Sequence, residues 1–366
     1  MYIDSLKLIN FRNYDLLNIE FSPDVNFITG NNGSGKTNII ESISLLSNLK
    51  SFKNIHDSDL VRWKNDSFYC LSKISDSDYN KFEVAYSLSN SKKKRFKIDS
   101  NEIKKASEYY GKLLSVFFLP EDINIINGSP EIKRRYFDSV ISKIYPGYIN
   151  DLNDFRTILS SRNNLLKKIR ESSANLKSID IWNKLFSEKY SKIYSIRKSF
   201  ITDFNLIYHL VYGKISGDEF VPRIKYESNI FSSEIDSISK LLNSRQQIDL
   251  KKGICTIGPQ KDLYSFVNDE DIDFKQFASQ GQKRTASIAL KAAEFNIIHK
   301  ITNNKSIILV DDIFSELDNF RRNNMLSFLE RKGQLIFTMV DFDILDLKKN
   351  DCYRKFNVLD NKIYSI

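Results

Sequence analysis

The chain has 366 residues, 41% hydrophobic and 28% charged, enough apolar mass for a real core and enough length for two domains or one domain with a large insertion. Its formal charge of +9 suits a polyanionic partner, although an overall bias toward lysine supplies part of that excess. No apolar run approaches membrane-span length and the N-terminus lacks a signal-peptide core, so no membrane partner and a cytoplasmic protein are expected. Cys70, Cys255 and Cys352 are far apart, and neither they nor His56, His209 and His299 show metal-ligand spacing; reduced, buried thiols are expected. In chain order, residues 1–21 alternate with the period of a strand through Leu6, Leu8, Leu17, Ile19 and Phe21. This predicts two strands joined at Asn10–Tyr14.

The next segment carries the strongest signal. Gly30, Gly35, Lys36 and Thr37 fit G-x-x-x-x-G-K-[ST], the phosphate-cradling P-loop, with Asn31, Asn32, Gly33 and Ser34 between them. In this pattern successive backbone N–H groups converge on a phosphate, and glycine lets the backbone approach closely. Lys36 is expected to reach the β- and γ-phosphates of ATP, and the Thr37 hydroxyl to hold Mg²⁺. Val25–Thr29 reads as a short buried strand. From Asn38 a helix follows, with Ile39, Ile40, Ile43 and Leu46 on one face and its positive end at the phosphates.

Residues 68–98 read as antiparallel strands, Phe82–Leu88 among them, with the Lys92–Arg95 tract at a hairpin tip where solvation is the ordinary reading. Beyond Pro120 the texture changes. About 130–242 is mostly helical, rich in cations and aromatics, with helix-period positions Ile181, Leu185, Tyr190, Ile193 and Ile196. Heptads are not sustained, so no long coiled coil is predicted. Strand character returns at Gly253–Ile257, and an α/β pattern runs to about Thr338. The expected domains are a nucleotide-binding head split between 1–124 and 250–366 and a helical arm over 125–249.

The second half of a nucleotide site follows. Ser306–Asp312 is an apolar run ending in two carboxylates, the form of a Walker B strand. Asp311 is expected to orient Mg²⁺, and Asp312 to position or deprotonate the attacking water. Ser279 and Gln282 have capping-box spacing ahead of a helix with Ala286, Ala289, Ala293 and Ile297 on one stripe. Ser279 is thus a hydroxyl at an anion-attracting helix N-terminus. One nucleotide cannot easily use two helix N-termini of the same chain, so the simplest geometry sets Ser279 on the γ-phosphate held by a second copy. A Ser315-Glu-Leu-Asp318 turn closes the set. P-loop, serine-capped helix, acidic strand and this turn, in that order, resemble ABC-type ATPase heads.

With Asn10–Tyr14, Phe118–Asp122, Gly128–Arg135 with Asp138, Arg162–Lys167 and Ser279–Thr285 added, the chain resembles the RecF family of bacterial recombination-mediator ATPases, related to SMC heads, over nearly its whole length. The resemblance implies an α/β, ABC/SMC-type P-loop ATPase head, built of a mixed sheet plus a parallel α/β core, with an inserted helical arm. It implies an ATP-driven homodimer that binds gapped, single-stranded or junction DNA. The dimer would act with RecR and RecO and help load RecA, hydrolysing ATP slowly as a DNA-stimulated switch. Arg12 and Asn13 match family positions facing the nucleotide, Ser279, Gly281 and Gln282 match the signature acting in trans, and Asp318 matches the D-loop aspartate. One departure is plain: Gly258-Pro-Gln-Lys-Asp-Leu263 stands where the family usually reads Gly-Pro-His-Arg-Asp-Asp. Lys133, Arg134, Arg135, Lys167, Lys168 and the Lys92 tract are candidate DNA contacts beside their reading as solvated faces. The rival classes are a transporter's ATPase subunit, which brings P-loop and signature closer together, and a P-loop nucleotide kinase, which lacks the signature serine.

Overall fold

The computed structural model describes residues 1–90, 93–173, 175, 178–217, 220–330, 332–340 and 353–366. From the N-terminus, β1 (Tyr2–Phe11) and β2 (Tyr14–Glu20) form the expected hairpin, followed by β3 (Val25–Thr29) and helix α1 (Lys36–Asn48). Strands β4 (Ser67–Ser75), β5 (Lys81–Ser87), β6 (Lys94–Ile98) and the short β7 (Asn101–Glu102) come next. The short helix α2 (Ala106–Tyr109) then leads to β8 (Ser115–Phe118). The middle is helical: α3 (Ile123–Asn127), α4 (Pro130–Ile144), α5 (Tyr148–Arg170), the 38-residue α6 (Ile179–Ser216) and α7 (Ile235–Lys252), with β9 (Arg223–Glu227) between the last two. The chain closes through β10 (Leu263–Val267), α8 (Phe274–Phe277), α9 (Gln280–Thr302), β11 (Ile307–Asp311), α10 (Asn319–Leu329), β12 (Leu335–Met339), β13 (Tyr353–Leu359) and β14 (Lys362–Ser365).

Two compact units result. The first comprises residues 1–123, 211–217 and 284–366. It holds an antiparallel sheet in the order β2-β1-β4-β5-β6-β7 and a second sheet in the order β14-β13-β3-β12-β11-β8. In the second sheet every pairing is parallel except β13 with β14. Parallel strands covered on both faces read as unbroken apolar runs, and β11 and β12 are buried at every position. Helix α1 packs on both sheets through Ile39, Ile40, Ile43, Leu45 and Leu46, all fully buried. The register that sets Thr338 beside Asp311 and Met339 beside Thr29 aligns the C-terminal ends of β3, β12 and β11.

The second unit comprises residues 124–210 and 218–283. Its return seam lies at 283/284, not at the expected 249/250. The reason is local: β10 pairs antiparallel with β9 and packs on α4, so residues 250–283 complete the helical unit. The strand expected over 253–257 is not formed. That segment is irregular and unladdered, its polar groups taken by side chains: Asn163 accepts from the Cys255 N–H, and Asp249 from the Thr256 N–H and hydroxyl. Along α6 the periodicity holds for Tyr190 and Ile193, which are buried, but Ile181 and Leu185 face solvent while Arg197 is buried. Among the described residues no helix is long and apolar enough to cross a membrane, and no metal-binding cluster of His, Cys, Asp and Glu occurs. Cys70 and Cys255 are free and buried, whereas Cys352 lies outside the described residues.

Candidate nucleotide site

The loop between β3 and α1 needs two of its glycines, Gly30 and Gly35, for space. Gly30 has φ +144°, and a Cβ there would stand 2.5 Å from the Val358 carbonyl oxygen. Gly35, the N-cap of α1 with φ +111°, would bring a Cβ to 2.4 Å from Asn13 Nδ2 and 2.8 Å from the Tyr14 hydroxyl. Tyr14 donates to the Gly35 carbonyl at 3.1 Å, Asn13 to the Ser34 carbonyl at 3.2 Å, and Asn38 to Asn13 Oδ1 at 2.8 Å. The first hairpin therefore braces the loop from outside. Asn31, Asn32 and Gly33 are exposed, and the Ser34 hydroxyl is a buried oxygen without a partner.

Lys36 curls back over this loop, its ammonium 2.6 Å from the Gly30 carbonyl and 2.9 Å from that of Asn31. Burial lowers its pKa, while Asp312 and Asp311 oppose the shift. The Thr37 hydroxyl donates to Asp311 Oδ1 at 3.0 Å, and Thr338 from neighbouring β12 donates to the same oxygen. Burial raises the Asp311 pKa, and the two threonine hydrogen bonds oppose it. Asp312, the next residue, sits in the left-handed region at φ +47°, where the backbone leaves the strand. The structure thus brings together Gly30 to Thr37, Asp311 and Asp312.

Arg12 does not stand free toward the loop. Its guanidinium grips Glu41 through two bonds of 2.8 Å and donates to the Asp59 carbonyl at 3.0 Å. Glu41 is fully buried on α1, and Ser51 and Lys53 also approach it. The sequence reading missed Glu41, Tyr14, Asn38 and Thr338. A usable signal existed for Glu41 alone, an acid four residues past Thr37 and so on the same helix face, one turn from the P-loop.

Ser279 belongs to the second unit. Gln282 N–H donates to its hydroxyl at 3.2 Å, and its own N–H donates to Gln282 Oε1 at 3.0 Å. This is the reciprocal capping box, and Gly281 lies in the first turn behind it. Asp318 caps α10, accepting from the Arg321 N–H at 2.9 Å and its guanidinium at 2.7 Å; the backbone N–H leads in lowering its pKa. The altered motif at Gly258 has a structural core. Asp262 is buried and accepts from Arg197, Tyr190, Tyr226 and Ser228, while Lys261 is exposed. Among the candidate DNA contacts, Lys133 is buried against the Phe266 ring and Arg134 donates to the Asp262 carbonyl, so both serve the unit's interior. Lys167 and Lys168 are exposed, and Lys92 lies outside the described residues.

The donor set fits a magnesium-bound nucleotide. Two hard oxygens, Thr37 Oγ1 and Asp311 Oδ1, lie 3.0 Å apart beside a glycine cradle and an inward-turned ammonium. A P-loop strand and an acidic strand set one strand apart in a parallel sheet, with an antiparallel sheet across the P-loop helix, define a P-loop ATPase head of the ABC/SMC class. A family profile described as "RecF/RecN/SMC N terminal domain" matches residues 2–358. The chain is 34% identical to the DNA replication and repair protein RecF of Leptospira interrogans, covering 100% of both chains, and 35% identical to RecF of Acetivibrio thermocellus over 94% of this chain and 95% of that one. The chain belongs to the RecF family. A solved structure titled "recombination mediator protein RecF-ATPrS in RecFOR pathway" aligns with TM-score 0.89 and 29% identity over 100% of this chain and 98% of that one. An Smc head bound to the C-winged helix domain of ScpA shares the fold alone, with TM-score 0.58 and 15% identity over 100% of this chain and 98% of that one.

Proposed function

We propose that this chain is an ATP-dependent DNA-binding protein of recombinational repair and replication restart, working as a slow switch. Family membership supports the repair role, and the RecF structures solved with ATP and ATPrS support the nucleotide. The observation that carries the reading is the Thr37–Asp311 contact, which joins the P-loop to the acidic strand end. Thr37 and Asp311 would hold Mg²⁺, Lys36 would leave its loop carbonyls for the β- and γ-phosphates, and Asp312 would orient or deprotonate a water. When bound, Mg²⁺ neutralises charge on the phosphate oxygens.

Ser279 is held at a helix start in the other unit, and its role is to complete the site of a second copy. ATP then favours a homodimer in which each signature, Ser279 with Gly281 and Gln282, faces its twin's γ-phosphate, with Arg12, Asn13 and Asp318 at the margins. The dimer binds DNA and acts with RecO and RecR, the partners named by the pathway of its relatives, to help load RecA at gaps. Sedimentation with ADP, with ATP, and with ATP plus gapped duplex tests this. A monomer with ADP, a dimer with ATP and a heavier species with DNA are expected; a monomer under all three conditions overturns the reading.

A further inference from the structure

The outer face of the antiparallel sheet supplies none of the residues of the candidate nucleotide site. Its opposite face, with Leu8, Cys70 and Val84, is buried in the core. On the outer face the register aligns Leu16, Ile9, Tyr69, Ala85 and Arg95 in one row across five strands, and Asn18, Lys7, Leu71, Glu83 and Lys97 in the next. A cavity of about 310 Å³ opens at one end of this face, where Asn10, Asn90, Lys93 and Arg95 surround Tyr69. The loop carrying Arg62, Trp63 and Lys64 reaches the same rim, with Arg62 N–H donating to the Asn10 carbonyl at 2.8 Å. Trp63 is 88% exposed and Leu16 57%.

Cations dominate the charge. Lys7, Lys64, Lys73, Lys93 and Arg95 have no ion-pair partner among the described residues. The acids are mostly engaged. Glu83 is held by the Tyr69 hydroxyl at 2.6 Å and by Lys81 at 2.9 Å, and Asp15 faces Arg62 at 3.7 Å. Glu20 and Asp66 remain exposed at the edges. The exposed Trp63 and the half-buried Tyr69, set among unpaired cations at the rim of an open sheet, form the combination that takes bases by stacking and the backbone by charge. A duplex hides its base faces and offers nothing to Trp63, so the aromatics select an unpaired strand.

We propose that this face binds single-stranded DNA, with Lys64, Lys93 and Arg95 on successive phosphates and Trp63 and Tyr69 stacking unpaired bases at the cavity. The inference rests on the DNA-binding reading and names the strand and the surface.

The test uses the full chain with ATP and a fluorescein-labelled 20-mer of dT followed by anisotropy, with a blunt duplex and poly-glutamate as parallel probes. Trp63→Ala is expected to weaken dT binding about tenfold or more, with Trp63→Phe restoring most of it. The pair Lys93→Glu and Arg95→Glu should cut affinity further and reduce the salt slope by roughly 1–2. Trp63 emission should be quenched by the oligonucleotide in the parent protein. These positions are exposed, so matched melting curves confirm that the variants fold. Parent-like dT binding by both sets of variants overturns the proposal, as does competition by poly-glutamate equal to that by dT. Binding of duplex but not of dT overturns it while leaving the DNA-binding reading standing, and binding of no DNA at all removes both.

Discussion

Glu41 holds more of the nucleotide site together than its absence from any phosphate motif suggests. It is the buried counter-charge of Arg12, whose side chain is 21% exposed, so removing it strands a guanidinium that cannot fully rehydrate. Breaking a buried pair costs about 3–5 kcal/mol, and the partial exposure of Arg12 brings the expectation for Glu41→Ala to about 2–3 kcal/mol in a denaturant melt. Gly35→Ala strains the same hairpin from the other side, setting a methyl against Asn13 and Tyr14 at a left-handed φ. It should cost about 1–3 kcal/mol and abolish binding of a fluorescent ATP analogue. Lys36→Met should lose nucleotide binding with stability unchanged or raised, because the buried ammonium is itself penalised. The P-loop residues were legible because their spacing is fixed by backbone contact with a phosphate. Glu41, Tyr14 and Thr338 were not, because they meet the loop only after strands and helix from distant sequence have packed.

At the scale of elements, the α9 start separates two roles of one serine. As a cap, Ser279 satisfies the Gln282 N–H, and Ser279→Ala should cost about 1 kcal/mol of stability. As a donor to a second copy, it should matter far more to assembly, and Ser279→Arg should bind nucleotide yet remain monomeric by light scattering. A dimer of that variant with ATP would detach the serine from its proposed role. Asp262 shows the opposite case, a motif residue with an interior duty. It is the shared acceptor of Arg197, Tyr190, Tyr226 and Ser228, and Asp262→Ala should destabilise the second unit by about 3–5 kcal/mol. Strands and helices with a clear period were readable from sequence, down to the first hairpin and the P-loop strand. The strand misplaced at 253–257 failed for a physical reason: its apolar residues Cys255 and Ile257 are buried, but its polar backbone is satisfied by Asn163 and Asp249 instead of a neighbouring strand. Ladder partners cannot be read from period alone, and for the same reason the pairing of β10 with β9 moved the unit seam to 283/284.

For the whole molecule, the question is whether a few hydrogen bonds can switch an assembly. Charge-assisted bonds contribute about 1.5–3 kcal/mol each, and a two-fold dimer makes each of them twice. A single serine-to-phosphate contact per site thus supplies about 3–6 kcal/mol, or roughly 10²–10⁴ in the dimerisation constant. A gain of that size would shift a chain of 42.7 kDa toward the proposed dimer, and its loss on hydrolysis would shift it back. The lifetime of the proposed dimer would then depend on the step that removes the γ-phosphate, the step proposed for Asp312 at the end of the acidic strand. Asp312→Asn keeps the shape of that side chain and deletes its basicity. It should bind ATP with parent affinity, turn it over at least tenfold more slowly, and hold the dimeric mass for correspondingly longer after free ATP is removed. Parent-rate phosphate release would take Asp312 out of the chemistry. Slow release with prompt dissociation would show instead that assembly does not depend on the γ-phosphate at all.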